Sequence, residues 1–207
     1  MRIAVILCLC LCLVQISCNT TQEQKEIVGP ELSHIDQQLS LLLDKAMSNQ
    51  KLPRTIHDGK LRFTNKGFDW TEGFFPGTCW YMYELTGEEK WKNAALKLQD
   101  IFIDHRFRTT NHDLGFVFNC SFGHGYRLMK SEKDKEVIID AANALITRFN
   151  PAVGCIKSWD VDKGWQSERG WQFPVIIDNM MNLELLFEVS LLTENQKYYD
   201  IAVTHAN

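Results

Sequence analysis

The chain has 207 residues, 45% of them hydrophobic and 23% charged, enough to bury one good core and unlike the composition of a disordered protein. A formal net charge of -4, with Lys and Arg scattered along the chain, argues against nucleic acid as a partner. An acidic ligand would need a local positive site.

Residues 1–18 stand apart. Arg2 followed by the apolar run Ile3 to Val14 has the length of a signal-peptide core and is too short to span a bilayer. Four of the seven cysteines, Cys8, Cys10, Cys12 and Cys18, fall here. Cys18 follows Ile16-Ser17 where cleavage is expected, and the segment resembles a bacterial lipoprotein signal with Cys18 as the lipidated residue. Gln15, where that motif usually carries Leu, leaves plain secretion as the alternative. Either way the expectation is an exported protein, periplasmic or held at the outer membrane of a bacterium through a lipid anchor alone. Residues 19–29 are polar and aperiodic, as in a tether.

A folded domain is expected over 30–207. Leu32, Ile35, Leu39, Leu42, Leu43 and Ala46 recur at three- and four-residue steps, which predicts a first helix ending near Asn49. A second is predicted from Gly73 to Leu85 with Gly87 as its stop. A third starts in the acidic turn Glu88-Glu89-Lys90-Trp91. The fourth covers Leu114 to Met129, and the fifth follows from Glu132, with Val137, Ala141 and Leu145 four apart. The sixth spans Val175 to Leu192, and the seventh starts near Glu194. No segment alternates like a sheet for long.

The joints at 85–91, 129–133 and 192–198 look alike, at steps of about 45 and then about 60 residues. Each leads into an acid-started amphipathic helix, so the pattern predicts an all-α protein of about three helical hairpins in two layers, an α/α toroid. Helices two, four and six, separated by one returning helix each, then point the same way. Their N-termini put Asp69-Trp70, His112-Asp113 and Asp178 on one face, with positive dipole ends that favour an anionic ligand. The long connection 150–174 carries Trp159, Trp165 and Trp171, a composition that fits function better than disorder.

Several of these residues have a plain structural reading as well. Asp113 sits where an N-cap would, although Gly115 in the first turn points to something packed against the backbone. Asp178 lies in an apolar stretch that would raise its pKa toward that of a general acid, with capping as the alternative. Asn182, one turn on, is placed to orient it. Trp70, Phe74 and Phe75 suit a core, but Gly73, Pro76 and Gly77 crowd the same turns and point to close approach of a flat ligand such as a sugar ring. Trp159 is a similar case. His112 has no further ligand set around it in sequence, so no catalytic metal is expected. No nucleotide-binding fingerprint occurs, and no cofactor is expected. Cys79, Cys120 and Cys155 read as buried small hydrophobes, with a disulfide between two of them left open.

The motifs Asp69-Trp70-Thr71-x-Gly73-Phe74, His112-Asp113-Leu114-Gly115-Phe116 and Ile176-Ile177-Asp178-x-x-Met181-Asn182-Leu183 resemble, in order, those of the unsaturated glucuronyl hydrolases, glycoside hydrolase family 88, from Thr55 to the end. The resemblance implies an (α/α)6 barrel, of which this chain would hold the N-terminal half. It implies a substrate oligosaccharide ending in a 4,5-unsaturated uronic acid, glycosaminoglycan-derived or similar. It also implies Asp178 as general acid/base and Asp113 as the second essential aspartate, with Trp70, Phe74, His112 and Trp159 around the unsaturated ring. In that reaction a proton adds to C4 of the enol ether and water to C5, and the resulting hemiketal opens by itself. Since the family's domain is longer than this chain, the chain alone is expected to be inactive and to expose apolar helix faces. Three alternatives remain at this point: an unsaturated rhamnogalacturonyl hydrolase, a non-catalytic glycan-binding lipoprotein, and an inverting α/α-barrel glycosidase.

Overall fold

The computed structural model of the chain describes residues 29, 31–64, 67–162 and 164–207. The expected signal segment with Cys18, and the tether up to residue 28, lie outside the described residues. The chain divides into two compact units, 1–45 and 46–207. Most of helix α1 (31–49) belongs to the first, where Leu32, Leu39, Leu42 and Leu43 form a half-buried stripe and Ile35 is exposed.

The second unit opens with a hairpin, β1 (Pro53–His57) and β2 (Lys60–Phe63), paired antiparallel. Asp58 and Gly59 both take positive φ at its turn, the conformation that an Asp-Gly pair favours between twisted strands. This hairpin was not anticipated; only four or five residues per strand leave too short an alternation to read. Helix α2 (Phe74–Thr86) and helix α3 (Glu89–Gln99) follow, then a 3-10 segment (Asp100–Phe107). A π-helical segment (Gly115–Gly123) runs directly into α4 (His124–Met129). After α5 (Glu132–Ile146) come the short strands β3 (Phe149–Asn150) and β4 (Cys155–Ile156), a second 3-10 segment (Gly164–Arg169), α6 (Asn179–Thr193) and α7 (Gln196–Ala206).

The three predicted joints share one backbone. Gly87, Lys130 and Glu194 each adopt the left-handed conformation that ends a helix, and Glu88, Ser131 and Asn195 then take the extended conformation that begins the next. The Ser131 hydroxyl accepts the Asp134 N–H and the side-chain Oδ1 of Asn195 accepts the Lys197 N–H, which satisfies donors that a helix start leaves free.

Helix α2, the π segment and α6 lie side by side, while α3 packs on α2, α5 on the π segment, and α7 on α6. The inner three run parallel. A side chain at Gly73 would collide with the Val117 backbone and one at Gly77 with Cys120 further along, while one at Gly115 would collide with Asn182. Gly73 and Gly77 therefore admit the neighbouring backbone rather than a flat ligand, which corrects the expectation from sequence. Between the layers Trp80, Trp91, Leu98, Phe102, Phe118, Phe122, Leu145 and Leu185 are fully buried. Phe102, Phe118 and Phe122 meet ring to ring at 5.8 to 5.9 Å. Each such side chain contributes roughly 1.5–3 kcal/mol by leaving water.

Two departures from the predicted elements matter for the site. The fourth helix begins as π rather than α, a wider turn common where a helix serves a functional site. The sixth begins at Asn179, not Val175, because Pro174 and Ile176 bond to Ser158 instead: the Ser158 N–H donates to Pro174 O and its hydroxyl accepts the Ile176 N–H. Among the described residues no helix is long and apolar enough to cross a membrane. Cys79, Cys120 and Cys155 are free thiols, Cys79 buried and the other two only partly so.

Candidate active site

The parallel inner helices bring Asp113 and Asp178 to the same end of the second unit. One donor atom each from His112, Asp113 and Asp178 lies within 4.8 Å of the others. Neither carboxylate caps its helix, since the starts of both the π segment and α6 lack a side-chain cap hydrogen bond. The capping alternative thus has no hydrogen bond behind it at Asp113, whereas the Asp178 carboxylate keeps one backbone partner at its helix end, the Asn179 N–H.

His112 stands between them. It is wholly buried, with Nε2 3.1 Å from Asp113 Oδ1 and 3.8 Å from Asp178 Oδ1. Its orientation comes from Asn182, whose Oδ1 accepts the Phe116 N–H at 3.2 Å and whose Nδ2 therefore faces His112 Nδ1 at 3.3 Å. Nδ1 is thus the acceptor, and in the neutral ring the proton sits on Nε2, toward the two carboxylates. Burial holds the imidazole neutral by lowering its pKa to about 4. Asn182 thus orients the histidine rather than Asp178, which corrects the role expected from its helical spacing. His112 Nε2 and Asp178 Oδ1 are nonetheless buried without a hydrogen-bond partner among the described residues, so the trio is a cluster of close, unpaired polar atoms; a metal ion would require Nε2 to carry no proton.

The two aspartates differ in a way the sequence hid. Asp113 is the more buried, and desolvation, reinforced by the charge of Asp178, raises its pKa to about 7 despite the opposing fields of Arg148 and Arg108. Asp178 is raised as well, by burial and against the Asn179 N–H, but its side chain is 38% exposed against 11% for Asp113. The apolar stretch around Asp178 does not enclose it, because Ile177 is 86% exposed and Met181 56% exposed. The expected pairing of an apolar Asp178 with a polar Asp113 is therefore reversed. Asp113 thus titrates near neutrality beside a second raised carboxylate, and the more open member is Asp178.

Aromatic side chains frame this pair. Trp70 meets Phe74 at 5.8 Å and Phe116 at 6.2 Å, and His112 meets Phe116 at 6.3 Å and Trp159 at 5.8 Å. All four binding residues expected from sequence thus converge, with Trp70 and Phe74 partly exposed. Phe116 was the unassigned link. Asp69, on the same face, is occupied structurally: it accepts from Thr71 and pairs with Arg54 at 2.7 Å. Burial pushes its pKa up, but these partners prevail and hold it below the usual range.

Two buried groups hold the loops in place. The His112 N–H donates to Ser158 O, and Asn111 pairs with Trp159. Arg148 donates to the carbonyls of Thr109 and Lys157 and to Asp160. Its guanidinium thus ties the segment before His112 to the one carrying Trp159. Nothing in the spacing of Arg148 marks this role, because its partners come from two separate segments, Thr109 well before it and Lys157 with Asp160 after it.

Fold and site together define part of an α/α toroid with an acidic, aromatic-rimmed site at the N-terminal ends of its inner helices. No protein-family model matches the chain. It is 37% identical over 212 aligned residues to an unsaturated glucuronyl hydrolase of Formosa agariphila, covering 99% of this chain and 51% of that protein. It is 33% identical to an unsaturated chondroitin disaccharide hydrolase of Streptococcus pneumoniae, covering 87% and 45%. A solved unsaturated glucuronyl hydrolase, described as specific for heparin, superposes with a TM-score of 0.74 at 36% identity, covering 84% of this chain and 46% of that one. Over most of its length the chain matches unsaturated glucuronyl hydrolases, glycoside hydrolase family 88, whose fold is an (α/α)6 barrel. It spans about half the length of the curated relatives it matches.

Proposed function

We propose that the protein carrying this chain removes a 4,5-unsaturated uronic acid from the non-reducing end of lyase-generated oligosaccharides, glycosaminoglycan fragments foremost, by hydrating the C4=C5 bond. The observation that carries this reading is the close carboxylate pair of Asp113 and Asp178 across His112, one donor atom of each of the three lying within 4.8 Å of the others. In the neutral range it offers an acid and a base at the same place. Its carboxylates are also too close to flank a glycosidic bond with a water between them, which needs roughly 6.5 Å or more. That disfavours the inverting-glycosidase alternative.

Asp178 is the proton donor in this scheme. A sugar ring settling between Trp70, Phe74 and Trp159 covers its exposed side, removes the remaining water and raises its pKa further, drawing a proton onto it. It gives that proton to C4. As a carboxylate it then takes a proton from the water that adds at C5, and the hemiketal opens to release the rest of the saccharide. Asp113 stays behind His112 and accepts hydrogen bonds from ring hydroxyls. The helix starts supply positive ends for the sugar's carboxylate.

Residues 30–207 form the first portion of the catalytic barrel in this proposal. The protein is exported and anchored through Cys18, a reading supported by the sequence of residues 2–18 alone; incorporation of labelled fatty acid that persists in Cys18→Ala would overturn the anchor. The activity is tested on the protein at the length of its relatives, by following the ultraviolet absorbance of the C4=C5 bond in unsaturated chondroitin, hyaluronan and heparin disaccharides. Loss of absorbance is expected, and Asp178→Asn should slow it by about 10²–10⁴-fold with the fold intact. Unchanged turnover in that variant would remove the assignment of Asp178. Persistent absorbance with measurable binding would favour the glycan-binding alternative.

A further inference from the structure

The aromatic rim does not stop at Trp159. Trp165 meets Trp159 at 5.5 Å, and Trp171 meets Trp165 at 5.7 Å, so a ladder of rings runs outward from His112 across the loop between β4 and α6. Trp165 is 49% exposed and Trp171 39%. The guanidinium of Arg169 lies 5.7 Å from the Trp165 ring and 5.4 Å from that of Trp171. Arg169 has no ion-pair partner among the described residues. Gly164 and Gly170, both at positive φ, bracket the 3-10 turn Gly164–Arg169 that presents these groups.

We infer that Trp165, Arg169 and Trp171 form an outer saccharide subsite that takes a sulfated or carboxylated sugar on the leaving-group side of the cleaved bond. This rests on the proposed function: an enzyme that removes the terminal, non-reducing sugar has every further sugar on one side of the reacting bond, so a platform continuous with the site receives that side. Two large exposed rings cost free energy in water unless something covers them, and the apolar faces of sugar rings suit them. A guanidinium stacked on aromatic faces keeps its N–H fork free for a planar or tetrahedral anion. Neutral sugars would use the rings alone, whereas an acidic sugar uses both.

The test is kinetic, on the protein at the length of its relatives, with unsaturated disaccharide and sulfated tetrasaccharide compared in the wild type, Arg169→Gln and Trp165→Ala/Trp171→Ala. Arg169→Gln leaves the rings in place and guards against misfolding. The wild type should show a KM about tenfold lower for the sulfated tetrasaccharide, and each variant should lose that advantage, as expected for one stacked and charged contact. Disaccharide turnover should stay within about twofold of wild type in Arg169→Gln. Equal KM for both lengths in the wild type, or an advantage that survives in both variants, overturns the subsite. Should the wild type turn over neither substrate, the proposed function fails. The subsite is then decided by quenching of tryptophan fluorescence with a saturated sulfated tetrasaccharide, which must occur in the wild type and weaken in Arg169→Gln for it to stand.

Discussion

Asn182 on α6 reaches across to the π segment, where its Oδ1 takes the Phe116 N–H and its Nδ2 meets His112 Nδ1 at 3.3 Å. One amide therefore fixes both the contact between two inner helices and the tautomer of the histidine between the aspartates. Asn182→Asp would present an acceptor on both sides, favour a proton on Nδ1 and leave Nε2 bare toward two carboxylates. We expect kcat to fall by about 10²-fold or more with a smaller change in KM. Steady-state kinetics and the ring nitrogen shifts in NMR check this; an unchanged tautomer would sink it.

The pH profile should carry the signature of the carboxylate pair. Burial and the charge of Asp178 raise Asp113 to about 7, so Asp113 keeps its proton below that pH and loses it above. If catalysis needs that proton, kcat/KM falls as pH rises through about 7. His112, lowered to about 4, stays neutral over that range and does not produce this limb. Asp113→Asn removes the group raised to about 7 and leaves Asp178, raised by burial, as the titrating acid, so whatever limb remains in the residual rate should move to lower pH. A limb unmoved in Asp113→Asn would show that another group causes it.

A second buried carboxylate affects stability rather than chemistry. Asp134 is almost wholly buried, with Oδ1 accepting from Gln99 Nε2 at 3.2 Å and Oδ2 unpartnered. Desolvation raises its pKa from 3.8 to about 6. Because the folded state binds this proton more tightly than the unfolded one, the stabilisation is full below about 4 and is lost as pH rises through about 6. The ionised form is thereby disfavoured in the fold by about 3 kcal/mol at neutral pH. Asp134→Asn should raise the melting temperature at pH 8 and flatten its rise between pH 8 and 5. Thermal unfolding at several pH values measures both.

Gly115 tests the close approach of the inner helices. A methyl group there would overlap the Asn182 backbone as well as its side chain, and backbone cannot rotate away. Gly115→Ala should destabilise by about 1–3 kcal/mol and loosen His112 through Asn182, lowering activity beyond the loss of folded protein. Circular dichroism melts alongside kinetics separate the two effects; a stable variant of full activity would show that the helices can move apart.

The sequence by itself determined the helices, their joints and the end of the molecule where the chemistry gathers. Those features are local: apolar residues at three- and four-residue steps, the left-handed stop at Gly87 and the acidic or polar starts after Glu88, Ser131 and Asn195 are all set by neighbours along the chain. Parallel inner helices then follow from alternation, which is why Asp113 and Asp178 were legible as a pair. What only the tertiary structure decided were quantities that depend on neighbours far apart in sequence. Burial placed Asp113 deeper than Asp178, against the apolar letters around Asp178, because Ile177 and Met181 point to solvent. Gly73 and Gly77 turned out to seat another backbone, Asn182 to hold His112, and Arg148 to bind two loops. A pKa or a hydrogen bond is a property of the space around an atom, and that space is filled by whichever distant segment packs there.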